Sequence, residues 1–309
     1  MIKNVLGVAL AGAALLATAT AAPVQASVQA HAQETDWQRV GDDITSGISG
    51  IAVDGVHDGT AELLAVRDSK KPGENRLVAL RHRAGGQPSQ RPVAWAGEPA
   101  VDLEAIDAVP GRPHEYVALA SGGTAYRIRW EGHTARVLAA FPVPGVSPDD
   151  NYEGFALTAS RGGKILAVWA DRGQDDRPAT LSAAEWDPRG NTFGEPVSAE
   201  FRVPYPAHDV RHISDVKVSA GGRVTVSSAS DPGDDGPYDS VLFDAGRVTS
   251  GHGDNRVHLA VHRSPHRLAT FPGHKIEALA CLPHSREGVV GTDDENDGGA
   301  IATADFCRP

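Results

Sequence analysis

Four acidic residues recur in one local setting, and their types and spacing carry the chemistry this chain could do. They are Glu104 in Asp102-Leu103-Glu104-Ala105-Ile106, Glu153 in Asn151-Tyr152-Glu153-Gly154-Phe155, Asp215 in Ile213-Ser214-Asp215-Val216-Lys217 and Glu277 in Lys275-Ile276-Glu277-Ala278-Leu279. A fifth copy, Ile48-Ser49-Gly50-Ile51, carries Ser49 at the same place, and the five anchors fall 55, 49, 62 and 62 residues apart. Carboxylates gathered on one axis can ligate a cation, share protons or divide the roles of general acid and base. Two like charges ~4 Å apart at an effective dielectric of about 20 repel by about 4 kcal/mol, so their convergence requires an offset. The candidates are a bound cation, a protonated acid, or the basic neighbours Arg211, Lys217 and Lys275. Oxygen donors without thiols suit Ca²⁺ best, with Mg²⁺ or Mn²⁺ behind it. The alternative role for each acid is structural, accepting backbone N–H bonds that staple one repeat to the next.

Acidic turns follow the anchors, and Asp171, Asp231 and Asp293 stand at the head of three of them. They extend the candidate metal set to Glu104, Glu153, Asp215, Glu277, Asp171, Asp231 and Asp293, although Asp-Gly turns are also ordinary hairpin chemistry. His212 precedes the fourth anchor and His274 the fifth, where an imidazole among carboxylates can move protons or ligate a metal. His208 lies nearby, whereas His252, His258, His262 and His266 have no such placement, and exposed loop histidines are the plainer reading of all of them. No G-x-S-x-G, H-E-x-x-H, Walker or G-x-G-x-x-G motif is present.

The elements that must position these residues repeat with them. After each anchor comes an apolar strand, a turn, a second strand, an acidic or Gly-rich loop and a third strand, and no stretch of the mature chain sustains a helical period. A four-stranded unit of roughly 50 to 60 residues is the size of a propeller blade. Five copies predict an all-β, five-bladed β-propeller, with six blades as the alternative. The fifth copy is one strand short at the C-terminus, and Trp37 to Val40 can supply the missing outer strand and close the ring. In an antiparallel blade the start of the innermost strand and the loop between the second and third strands share one end. The anchors and the Asp-rich loops therefore belong at one mouth, where a small-molecule or surface ligand would bind.

Length alone allows one or two domains in 309 residues, and the repeats favour one, spanning 33–309. Residues 1–32 read as a secretory signal, with Lys3, an apolar run from Val5 to Leu16 and cleavage after Ala32, so the protein is expected to be extracellular. Their removal leaves 28 basic against 40 acidic residues, a charge of −12. Such a surface repels phosphate backbones, which argues against nucleic acid as a partner. No later stretch approaches a membrane span, and a monomer is expected. The only cysteines, Cys281 and Cys307, both fall in the last repeat, and in an oxidising compartment they are expected to form a disulfide.

With the repeated Glu-[Ala/Gly]-hydrophobic anchors and the Asp-rich hairpins laid out, the chain resembles the secreted phytase-like propellers, including the "esterase-like activity of phytase" group. The resemblance implies a mouth at which acids hold Ca²⁺ and a metal-assisted hydrolase of phosphoesters or carboxylic esters, with His212 or His274 moving protons. Ser49 departs from that pattern, as does the count of five copies where the phytases have six blades. A non-catalytic propeller binding a glycan, peptide or surface partner is the competing reading.

Overall fold

The computed structural model describes residue 1 and residues 35–251 and 256–307. The expected signal segment and His252 lie outside the described residues, and residues 32–309 form one compact unit. Runs of β-branched and small apolar residues between Gly- and Asp-rich turns give twenty-one strands, with no α-helix among the described residues.

They assemble as five antiparallel blades. Blade 1 is β2 (Gly50–His57), β3 (Thr60–Val66), β4 (Leu77–His82) and β5 (Ser89–Ala96). Blade 2 is β6 (Leu103–Ala108), β7 (Glu115–Ala120), β8 (Thr124–Glu131) and β9 (Thr134–Pro142). Blade 3 is β10 (Tyr152–Ala159), β11 (Ile165–Asp171) and β12 (Ala179–Asp187), whose outer edge pairs with both β13 (Thr192–Phe193) and β14 (Val197–Phe201). Blade 4 is β15 (Val210–Val218), β16 (Arg223–Ser230), β17 (Asp239–Ser250) and the long β18 (Val257–Pro272).

Blade 5 closes the ring as the sequence predicts. Its strands β19 (Ile276–Cys281), β20 (Glu287–Thr292) and β21 (Gly299–Asp305) are completed by β1 (Gln38–Gly41), which pairs antiparallel with β21 through Gln38↔Ile301 and Arg39↔Ala300. The Cys281–Cys307 disulfide, with Cα atoms 5.5 Å apart, ties the end of β19 to the segment just after β21. One blade thus receives both a non-covalent and a covalent fastening. A feature the sequence did not disclose is a parallel pairing of the outer strands β5 and β9, through Ala94↔Thr134, Trp95↔Ala135 and Ala96↔Arg136. It joins blades 1 and 2 into an eight-stranded sheet.

The core is distributed around the ring. Five apolar clusters lie between successive blades, for example Val168, Leu181, Ile213 and Val226 between blades 3 and 4, and Ile51, Leu63, Ala278 and Ile301 between blades 5 and 1. Burial of a Val, Leu or Ile side chain contributes roughly 1.5–3 kcal/mol, so the inter-blade seams supply the main driving force for closure. The small residue after an anchor follows from this packing. A Cβ on Gly154 would meet Val216 Cγ2 at 2.6 Å, and one on Gly50 would meet the Ala105 Cα at 2.8 Å. The Glu-[Ala/Gly] phrase records blades packed tightly at the axis.

A candidate active site at the acidic mouth

The inner strands place three of the four anchor acids by one local device. In β6 the register passes from Leu103↔Ala120 to Ala105↔Leu119, in β10 from Tyr152↔Asp171 to Gly154↔Ala170, and in β19 from Ile276↔Thr292 to Ala278↔Gly291. Glu104, Glu153 and Glu277 are each the extra residue of a β-bulge, a distortion that re-aims a side chain out of the ladder. Each has a carboxylate oxygen within 4.8 Å of the other two, and all three residues are buried.

Asp215 follows another path. In β15 the register jumps from Arg211↔Ala229 to Asp215↔Ser227, so the irregularity spans three residues and Asp215 is already back in the ladder. Its Oδ1 accepts from the Val216 N–H at 2.6 Å and its Oδ2 from the Leu279 N–H of blade 5 at 2.7 Å. That is the staple geometry weighed in the sequence, and Asp215 is not one of the three converging acids. Asp107, which the sequence did not single out, does the same from blade 2, accepting from the N–H of Ala108 at 2.9 Å and of Leu157 at 2.8 Å. It also takes a bond from the Lys217 ammonium, so Lys217 serves this acid.

Arg211, the last paired residue before the three-residue irregularity, occupies the fourth blade's place at the mouth. Its Nη1 lies 2.8 Å from Glu277 Oε1 and 3.5 Å from Glu153 Oε2, while Nη2 pairs with Asp231. Arg172 Nη1 adds a second contact to Glu153 at 3.1 Å, and Lys275 Nζ reaches Glu277 at 3.2 Å and pairs also with Glu295. Glu104 differs from its neighbours, since it makes no hydrogen bond or salt bridge among the described residues. Burial, then the charges of Glu153 and Glu277, push its carboxyl well above the usual range. Glu277 is raised to about 8, by burial first, against the pull of Lys275 and Arg211. Burial works against the Lys275 ammonium, but Glu277 and Asp293 outweigh it and hold the proton more tightly than usual.

The other expected site residues surround this centre without joining it. Asp231 is its neighbour through Arg211. Asp171 accepts from the N–H of Asn151 at 2.9 Å and holds Arg177, fastening its own loop. Asp293 is buried, raised to about 7 chiefly by burial, and its Oδ1 accepts from the Glu295 N–H at 3.2 Å. His212 is held between backbone groups, Nδ1 accepting from the Val203 N–H at 3.3 Å and Nε2 lying 2.9 Å from the Asp175 carbonyl oxygen. Burial lowers its pKa. His274 sits 2.8 Å from Asp294 Oδ2 and packs against Trp37, the rings tilted by 38° with centroids 4.2 Å apart. Both histidines are at the mouth, and neither touches the three glutamates. The contacts from inner-strand starts to these loops place anchors and acidic turns at one end, as antiparallel connectivity requires.

The arrangement sets one acid whose carboxyl is pushed well above the usual range beside another paired with two arginines, an asymmetry that proton transfer can use. Arg172 carried one available signal, its position directly after Asp171 at the end of a second strand. Nothing local distinguished Asp107 from other strand residues.

No family model and no curated protein matches the chain. Its fold is shared with solved structures at about a tenth sequence identity. A GH43 endo-arabinanase from Bacillus licheniformis aligns with a TM-score of 0.52 and 10% identity, over 87% of this chain and 96% of that one. An arabinanase from Bacillus subtilis gives 0.51 and 10%, over 86% and 96%. An exo-1,5-alpha-L-arabinanase from a bovine ruminal metagenomic library gives 0.50 and 10%, over 86% and 95%. These are five-bladed propellers of the glycoside hydrolase class, and they overturn the phytase-like resemblance. The anchors that suggested it are a packing solution at the propeller axis, so they marked architecture and carried no family identity. The likeness establishes the fold of this chain as a five-bladed propeller.

Proposed function

We propose that the acidic mouth is the active centre of an extracellular hydrolase that cleaves a glycosidic bond. The observation carrying this reading is the asymmetry among three converging glutamates. Glu104 is unpaired and biased towards its protonated form, while Glu153 is gripped by Arg172 and Arg211. Glycosidic hydrolysis asks for such a pair, one carboxylic acid to protonate the leaving oxygen and one carboxylate to work on the anomeric carbon. Glu104 gives its proton to the departing oxygen as the glycosidic C–O bond breaks, Glu153 attacks or stabilises the carbon, and a water then supplies the hydroxyl of the released sugar and returns a proton to the acid pair. Glu277, with Arg211 and Lys275, sets the charge around the pair. The propeller neighbours named as arabinanases lend support at the level of fold only. The Cys281–Cys307 disulfide fits the oxidising compartment to which the signal-like N-terminus would deliver the chain.

A cation at the three carboxylates is the second reading, favoured by their convergence and by the all-oxygen donor set, with Ca²⁺ first by donor type. Arg211 and Lys275 weigh against it, because they already lie on oxygens of Glu153 and Glu277 that an ion would need. If the cation is absent from the chemistry, the unfolding temperature of the mature protein is the same in Ca²⁺ and in EDTA. A clear Ca²⁺-dependent rise would establish the second reading.

The primary test is turnover of a panel of aryl glycosides and neutral and acidic polysaccharides by the mature protein and by Glu153→Gln. Turnover is expected to fall at least about a hundredfold in the variant, within the range supplied by a positioned acid or base. Loss of no more than a few-fold in a folded variant removes Glu153 from the chemistry. Absence of turnover across the panel would leave the mouth as a binding site.

A further inference from the structure

A cleft of about 730 Å³ lies at the end of the propeller opposite the acidic mouth, between the turns of blades 3 and 4. Chain direction puts it there. Its walls are the β10–β11 turn from Thr158 to Gly162, the β15–β16 turn from Ala220 to Gly222 and the end of β17 from Arg247 to Gly251. Inner strands begin at the mouth, so the turns after β10 and β15, and the end of β17, belong to the far end.

The chemistry of the cleft is opposite to that of the mouth. Its lining carries the hydroxyls of Thr249 and Ser250, those of Thr158, which donates to the Ser219 carbonyl, and of Ser160, which accepts from the Lys164 N–H, and two guanidinium groups, Arg161 and Arg247, with no acid among the lining residues. Both arginines are exposed, and Arg247 also bonds to the Gly221 carbonyl, which fixes it at the rim. The acids nearest in the neighbouring strands are occupied: Glu185 pairs with Lys164 at 2.7 Å, and Asp244 pairs with Arg223. Basic residues continue along the adjacent outer edge. The register sets Arg247 opposite Ala260 and Thr249 opposite His258 in β18, and the sequence carries no acid between Asp254 and Glu277. Over the same strand Arg263 and Arg267 are exposed, with the Arg267 guanidinium 5.7 Å from the centroid of the Tyr205 ring. In a chain of net charge −11, a cleft, hydroxyls and exposed arginines coincide here.

We infer that this cleft and the adjoining edge of β18 bind a polysaccharide bearing carboxylates, a uronic-acid chain, as a docking site separate from the mouth. Hydroxyl donors and acceptors match sugar hydroxyls, and spaced guanidinium groups match carboxylates through paired N–H bonds. A flexible polyanion held there would be concentrated near the protein without entering the acidic mouth, which repels it. The site does not depend on the mouth being catalytic.

The test uses polygalacturonate as the probe and a neutral glucan as the control, with binding to the full mature protein measured by retardation in affinity gels at low and high salt. Polygalacturonate is expected to retard the protein and the neutral glucan not to, with the effect weakened at high salt as screening requires. The double variant Arg161→Gln, Arg247→Gln is expected to lose about tenfold in affinity. Because Arg247 also supports a turn, Arg161→Gln and Arg263→Gln singly are measured beside it, with unfolding temperature as the check on folding. Equal binding of the neutral glucan, unchanged affinity in all folded variants, or tighter binding of duplex DNA or anionic vesicles than of polygalacturonate would each overturn the proposal. Glu153→Gln is expected to bind polygalacturonate normally, so failure of the docking site and failure of the proposed catalysis are read separately.

Discussion

Two levels of the central axis hold acids of the same chemical kind and put them to different work. At the mouth, Glu104, Glu153 and Glu277 are single bulge residues whose carboxylates leave the ladder and meet. Deeper in, Asp107 and Asp215 lie within the ladder, and their carboxylates accept N–H groups from their own strand and from the next blade. A carboxyl within the ladder satisfies buried backbone donors, although burial pushes that of Asp215 well above the usual range against its two N–H bonds. One displaced from it has no backbone donors, so it must find cations, or a proton, as Glu104 does. The position of one residue relative to a bulge thus separates an inter-blade fastening from a reactive group.

This contrast can be broken from the deeper side first. Replacing Asp107 with Ala strands the Lys217 ammonium, which is largely buried, and frees two N–H groups; breaking one partner of a buried pair costs about 3–5 kcal/mol. Denaturant unfolding is expected to show a loss of that order. A loss under about 1 kcal/mol would mean that the pair is not a structural tie.

Asp215→Ala removes the acceptor of two buried N–H groups without leaving a charge behind, and each unsatisfied group costs about 1–3 kcal/mol. Stability should fall by about 2–4 kcal/mol on that arithmetic, with any turnover per folded molecule unchanged. A variant that keeps its stability and loses turnover would return Asp215 to the active centre.

The mouth gives the smaller stability effect and the opposite sense of pH dependence from ordinary paired carboxylates. Glu277 is held at about 8 and Asp293 at about 7 in the folded state, against ordinary values near 4.5 and 3.8. The native state therefore binds more protons than the unfolded state between those limits. Stability contributed by the protonated forms is present at low pH and declines as pH rises through this window. Unfolding temperature is expected to fall from pH 5 to pH 8, and Glu277→Gln, which removes one of the two titrating groups, should make the profile shallower. An unchanged slope in that variant would place the titration at Asp293 or at the other raised carboxyls, Glu104 and Asp215, with Asp293→Asn the next variant.

Much of the architecture was legible because repetition makes it so. Five anchors at near-regular spacing, acidic loops between second and third strands, a missing last strand and a spare first one predicted the closed five-bladed ring. The structure supplies each part of it, including the pairing of β1 with β21 and the Cys281–Cys307 bond. Site membership was less legible. Asp215 shares the anchor phrase, yet the three-residue irregularity before it shifts its register and sends Arg211 to the mouth. His212 and His274 lie close in sequence to anchors, but backbone groups and Asp294 with Trp37 hold them.

The sequence by itself determined the local alphabet of this protein: short apolar strands, turns where Gly and Asp permit them, small residues where blades meet, and an acid near the start of most inner strands. Periodicity and residue size are local properties, and they survive reading in one dimension. Tertiary structure alone decided which acids meet, which are stapled, which arginines attend them and which turns enclose the cleft at the far end. Those outcomes depend on register shifts of one residue and on side chains from blades more than a hundred positions apart, as with Asp107 and Lys217. A one-residue slip along a strand leaves composition and pattern unchanged, but it turns a carboxylate from a neighbour's backbone to the open axis.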